Sequence, residues 1–135
     1  MGPVPWVSQY LMNQLTRNRF TWSSLIEDDT IPVFLIRHGQ TSWNKEKRFL
    51  GRSDIPLDEE GQLQASLLAQ TLSGIHLAGL YSSPLSRAWQ TAEAISGVCD
   101  CPIQSIDALT ELDQGDLEGH HAAVLQEQYG DFFKA

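Results

Sequence analysis

Apolar positions along the chain alternate between short continuous runs and stretches repeating every three to four residues, the pattern of strands joined by amphipathic helices. The run Ile31 to Ile36, rich in β-branched residues, predicts a strand buried on both faces and ending at Arg37-His38-Gly39. From Asp58 to Ser73, Leu63, Leu67, Leu68 and Leu72 fall on one helical face, with Asp58 placed to cap the start and Gly74 to end it. A second strand, Leu80 to Ser82, leads into Ser83-Pro84, an N-cap followed by a favoured first helical residue. Leu85, Ala88, Ala92 and Ile95 then continue at helical spacing until Gly97. A third strand is expected around Ile103 to Ala108, and a last helix from Ala122 to Phe133.

Strand and helix in alternation imply an α/β fold, a three-layer α/β/α arrangement around a mainly parallel sheet. Ahead of it, Trp6, Val7, Tyr10, Leu11 and Leu15 predict a short amphipathic helix. Residues 1–29 therefore read as an N-terminal extension and residues 30–135 as the folded domain. The length of 135 residues suits one hydrophobic core and is short for two.

Net charge changes the picture by exclusion. At -8, and with no extended Lys/Arg stripe, the chain lacks what is needed to displace counterions from nucleic acid or to bind an anionic membrane surface. No apolar run approaches the roughly 18 residues of a membrane span. Within the acidic chain, Lys45, Lys47, Arg48 and Arg52 form a basic island, open to two readings: a solvated loop, or an entrance for an anionic substrate. Cys99 and Cys101 sit one residue apart, a spacing at which a disulfide would be strained and would close almost no loop. Reduced thiols, a cytoplasmic location, no metal and no cofactor are the expectations.

The candidate chemistry lies where the first strand ends. Open α/β sheets place ligand crevices at the carboxyl ends of their strands. Arg37 offers a fork of donors for phosphate oxygens, His38 an imidazole able to attack phosphorus, and Gly39 a close backbone approach. Thr41 and Asn44 add short polar groups. Arg87 follows Pro84 closely enough to lie in the first helical turn, where free N–H groups favour an anion. Taken singly, each residue also has a plain structural reading, His38 as a surface or capping residue and Arg87 as a solvated helix charge.

Together these residues are more specific. The ordered set comprises Arg37-His38-Gly39-Gln40-Thr41 with Trp43-Asn44; Gly51, Asp54, Pro56-Leu57, Gly61 and Gln64-Ala65; Ser82-Ser83-Pro84-Leu85 with Arg87-Ala88 and Gln90-Thr91-Ala92; and Glu111, Gly115 and Glu118-Gly119. With it the chain resembles the histidine phosphatase superfamily, which includes cofactor-dependent phosphoglycerate mutases and small-molecule phosphatases, over about residues 31 to 133. The resemblance implies a phosphoglycerate mutase-like fold and a small phosphorylated substrate. It further implies that His38 takes the phosphoryl group, that Arg37 and Arg87 bind its oxygens with Asn44 and Thr41 as additional contacts, and that Glu111 protonates the leaving alcohol.

The chain departs from the family pattern near its end. The family has a second pocket histidine in a late strand-to-helix segment, and this sequence stops at Ala135 before that segment and its strand. The C-terminal part of the domain is thus expected to be absent, leaving a sheet edge through which copies could self-associate. His76, His120 and His121 read as ordinary exposed histidines. Around Glu111, Thr110-Glu111-Leu112-Asp113-Gln114-Gly115 differs from the phosphoglycerate mutase form, in which an Arg-His-Tyr run follows the glutamate. The expectation is a metal-independent phosphomonoesterase of the broad-specificity or α-ribazole type, with a mutase and a non-catalytic phosphate-binding fragment as alternatives.

Overall fold

The computed structural model describes residues 31–130, and the expected helix from Trp6 to Leu15 lies outside them. Six elements run in order: α1 (Ser42–Glu46), α2 (Glu59–Thr71), β1 (Leu80–Ser82), α3 (Ser86–Cys99), β2 (Ile103–Ser105) and α4 (Ala122–Tyr129). Single 3-10 turns at Asp107–Leu109 and Gly115–Leu117 punctuate the stretch between β2 and α4. Strands β1 and β2 pair in parallel, Leu80 opposite Ile103 and Ser82 opposite Ser105, with α3 as the crossover between them. The fold is therefore mixed α/β with a parallel sheet. No helix among the described residues is long and apolar enough to cross a membrane. Of the described residues, 31–36 and 37–130 belong to separate units.

The expected first strand is not formed. Residues 31–40 carry no strand, and Ile31, Val33 and Leu35 are 89%, 79% and 94% exposed. An apolar run becomes a buried strand only when neighbours satisfy its backbone and layers cover both faces. Among the described residues the sheet has two strands, β1 and β2, and this run is not one of them.

Helix α2 begins as its sequence predicts, with the Asp58 carboxylate accepting from Gly61 N at 2.8 Å. Its buried face differs from the expected leucine stripe. Gly61, Ala65, Ala69 and Leu72 are buried, whereas Leu63 and Leu67 are exposed. Helix α2 packs on α3, which buries Arg87, Thr91, Ala92 and Ile95. Small residues let two helix backbones approach closely, so the alanines take the inner face and the leucines are left outside.

Helix α3 starts two residues later than the Ser83-Pro84 signal. Its first residue is Ser86, and Leu85 at the N-cap makes no side-chain cap bond. The cap comes from a distant loop instead: the Asp54 carboxylate accepts from Ser86 N at 2.7 Å and from Ser86 Oγ at 2.8 Å. The helix also runs through Gly97 to Cys99, and Asp100, in the left-handed region with φ 49°, ends it. Strand β2 stops at Ser105, short of the expected Ala108, because the chain turns at Asp107. Helix α4 is formed over Ala122–Tyr129, and the part expected to reach Phe133 lies outside the described residues.

Candidate active site

Residues 37 to 41 are held from the helices beneath them. Gly39 N donates to Thr91 Oγ1 (3.2 Å), Gln40 N to Gln64 Oε1 (3.0 Å), and the Gln40 amide to Asp58 Oδ2 (2.9 Å). Two glycines permit this contact. A Cβ on Gly61 would come within 2.0 Å of the Gln40 carbonyl oxygen, and one on Gly39 within 2.5 Å of the Gly61 carbonyl oxygen. Backbone atoms cannot swing aside as a flexible side chain can, so both positions exclude any larger residue.

His38 is half-buried, and its Nδ1 lies 2.7 Å from the Gly39 carbonyl oxygen. A carbonyl only accepts, so Nδ1 carries the proton and Nε2 keeps its lone pair when the ring is neutral. Burial pushes the imidazole pKa below its ordinary 6.5. The charges of Arg87 and Arg37 push the same way, against the Gly39 hydrogen bond and the Glu111 charge. The neutral, nucleophilic form is therefore favoured at physiological pH.

Arg87 is 2% exposed. Its Nη1 donates to the Ser53 carbonyl at 2.8 Å and its Nη2 to the Gly51 carbonyl at 2.7 Å. The one ion pair among the described residues is Arg48 with Glu46, so Arg87 is a buried guanidinium without a carboxylate partner. Burial lowers its pKa, against the more distant charges of Glu111, Asp54 and Glu118. A guanidinium has five N–H donors, so about three remain for a ligand after the two carbonyl bonds. Arg37, by contrast, is exposed and makes no hydrogen bond or ion pair among the described residues.

Thr41 and Asn44 serve each other. Thr41 caps α1 in a capping box: its N and Oγ1 donate to Asn44 Oδ1 (3.0 and 2.9 Å), and Asn44 N donates to Thr41 Oγ1 (3.2 Å). Thr41 is 0% exposed, and its hydroxyl is engaged in the cap. Half-buried Asn44 keeps its Nδ2 as a donor. Glu111 is exposed, and its carboxylate accepts from Leu112 N at 2.9 Å. Its charge acts to raise the pKa of both His38 and Arg87, against the effect of burial. His76 and His120 are exposed as expected, while His121 is half-buried with its Nδ1 3.0 Å from the Glu46 carbonyl oxygen.

Motif spacing alone assigns no contact to the residues around Arg87: Gly51, Ser53, Asp54, Thr91 and Glu118. Four of them, Gly51, Asp54, Thr91 and Glu118, stood in the motif set, so their presence was visible and their contacts were not.

The histidine phosphatase superfamily (branch 1) family model matches residues 33–135. The chain belongs to this superfamily. Among curated relatives, the Cronobacter sakazakii protein named "Probable phosphoglycerate mutase GpmB" is 41% identical over 98 residues, covering 73% of this chain and 46% of that protein. The chain thus spans about half the length of the curated relatives it matches. Among solved structures, a mycobacterial glucosyl-3-phosphoglycerate phosphatase complexed with VO3 is similar at TM-score 0.66 and 30% identity, over 68% of this chain and 46% of that one. A candidate alpha-ribazole-5'-P phosphatase from Escherichia coli is similar at TM-score 0.65 and 32% identity, over 74% and 50%.

Proposed function

We propose that this chain carries the phosphoryl-accepting half of a phosphomonoesterase site for small phosphorylated metabolites. The single observation that carries the reading is Arg87, a buried guanidinium bound only to backbone carbonyls. Burying an unpaired charge is costly, and an arriving phosphate offsets that cost with short charge-assisted hydrogen bonds. Beside it, His38 holds its proton at Nδ1 and offers Nε2.

In the proposed reaction, His38 Nε2 attacks phosphorus and the ester P–O bond breaks. The Glu111 carboxyl gives its proton to the departing alkoxide. Water then attacks the phosphohistidine, giving a proton to the Glu111 carboxylate. Phosphate leaves and Nε2 regains its lone pair. Arg87, Arg37 and the Asn44 amide hold the three transferring oxygens, and Thr41 contributes by fixing Asn44.

Two further readings have their own support. The similarity to a protein named as a phosphoglycerate mutase favours return of the phosphoryl group to substrate rather than to water. Phosphate binding without turnover is the other reading, and it needs only the Arg87 N–H donors that the two backbone carbonyls leave free. Phosphate release from p-nitrophenyl phosphate separates these readings. A phosphatase releases nitrophenol and phosphate continuously, a mutase stops after about one equivalent of nitrophenol, and a binding fragment releases neither.

A further inference from the structure

Glu118 makes more hydrogen bonds than any other carboxylate among the described residues. Its Oε1 accepts from Arg52 N (2.7 Å) and Gln114 N (3.1 Å), and its Oε2 from Ser53 N (2.7 Å) and Ser53 Oγ (2.5 Å). Three of these four bonds come from one short segment, residues 51–53. The carbonyls of that segment's two ends, Gly51 and Ser53, are the two that accept from Arg87. Gly51 is in the left-handed region at φ 52°, and a Cβ there would lie 1.9 Å from Glu118 Oε1. The loop, the carboxylate and the guanidinium are therefore one interlocked unit.

We infer that Glu118 is the positioning residue for the phosphate-binding guanidinium: it fixes the Gly51–Ser53 loop, and the loop's two carbonyls aim Arg87. The inference rests on the reading of Arg87 as a phosphate ligand. A guanidinium bonded at two nitrogens keeps one orientation, so its remaining N–H groups are aimed before phosphate arrives and less ordering cost falls on binding. Glu118 makes no hydrogen bond to Arg87 itself and sets its aim through the loop. Glu118→Gln places an amide donor where Oε2 accepted from Ser53 N. It sets two N–H groups against each other, so the loop must shift.

Two readouts on the full 135-residue chain test this: side-chain ¹⁵N NMR of Arg87, and titration with inorganic phosphate. In the wild type the Arg87 Nη protons exchange slowly, and in Glu118→Gln that protection is lost. The phosphate dissociation constant rises about tenfold in Glu118→Gln and about threefold in Ser53→Ala, which removes a single bond to the same carboxylate. In an Arg87→Lys background, Glu118→Gln changes phosphate affinity by less than about twofold, because the group it aims is gone. Unchanged Arg87 resonances in folded Glu118→Gln, or the same fold-change in both backgrounds, would overturn the inference. Should Glu118→Gln fail to fold, Ser53→Ala carries the same comparison. If the wild type binds no phosphate, the phosphatase reading fails, and the Arg87 resonances alone decide the role of Glu118.

Discussion

The two arginines assigned to phosphate stand in opposite environments. Arg87 is buried, bonded to two carbonyls and supported by a loop that Glu118 and Asp54 hold from two sides. Arg37 is exposed and bonded to nothing among the described residues. The difference separates preorganisation from recruitment. A locked guanidinium delivers its electrostatic stabilisation without reorganising, whereas a free one must first surrender the rotamer freedom of a long side chain, a cost of up to about 2 kcal/mol. Arg87 therefore carries the larger share of phosphate affinity, and Arg37 the smaller.

The comparison can be broken most directly by removing each arginine. Arg87→Met should weaken inorganic phosphate binding by about 100-fold, the order expected for losing charged hydrogen bonds in a shielded site. It should also lower the melting temperature, because the Gly51 and Ser53 carbonyls lose their donors. Next in size, Gly51→Ala should destabilise the chain by about 1–3 kcal/mol in urea unfolding, since it combines left-handed strain with collision against Glu118. Arg37→Met should weaken phosphate binding only about threefold to tenfold and leave the melting temperature unchanged, as befits an exposed side chain. Equal losses from the two arginine substitutions would erase the distinction.

The smallest effects are in pH dependence, and they separate the same two regions. Hydrogen bonds, led by that from the Ser53 hydroxyl, depress the Glu118 carboxyl from 4.5 to about 2. In the window between these values the unfolded state binds more protons, so folding stability falls as the solution is acidified. The stability difference between the wild type and Glu118→Gln should be complete above about pH 4.5 and shrink towards pH 2. His38 titrates below 6.5, so the acid limb of the turnover profile should lie under that value and reflect loss of neutral imidazole.

Much of this arrangement was legible in the sequence, and what was not has identifiable causes. Asp58 as a helix cap was readable because capping is local. The cap of α3 was misplaced because its capping carboxylate, Asp54, is thirty-two positions away in the chain, and no local signal announces it. The inner face of α2 was misassigned because apolarity ranks leucine above alanine, while close packing against α3 ranks them the other way. The strand over Ile31 to Ile36 failed because a strand is a property of its neighbours as much as of its own residues. At the site, His38, Arg37, Arg87 and Glu111 were named from the motif. The role of Glu118 was hidden, since it consists of contacts to loop backbone that any sequence could supply.

The central claim, a phosphohistidine-forming site at His38, is tested most directly by hydrolysis of p-nitrophenyl phosphate by the 135-residue chain without added metal, beside His38→Ala, from mildly acidic to neutral pH. The account predicts continuous release of nitrophenol that falls by at least about 1,000-fold in the substituted protein. Hydrolysis that survives the substitution in well-folded protein would contradict it.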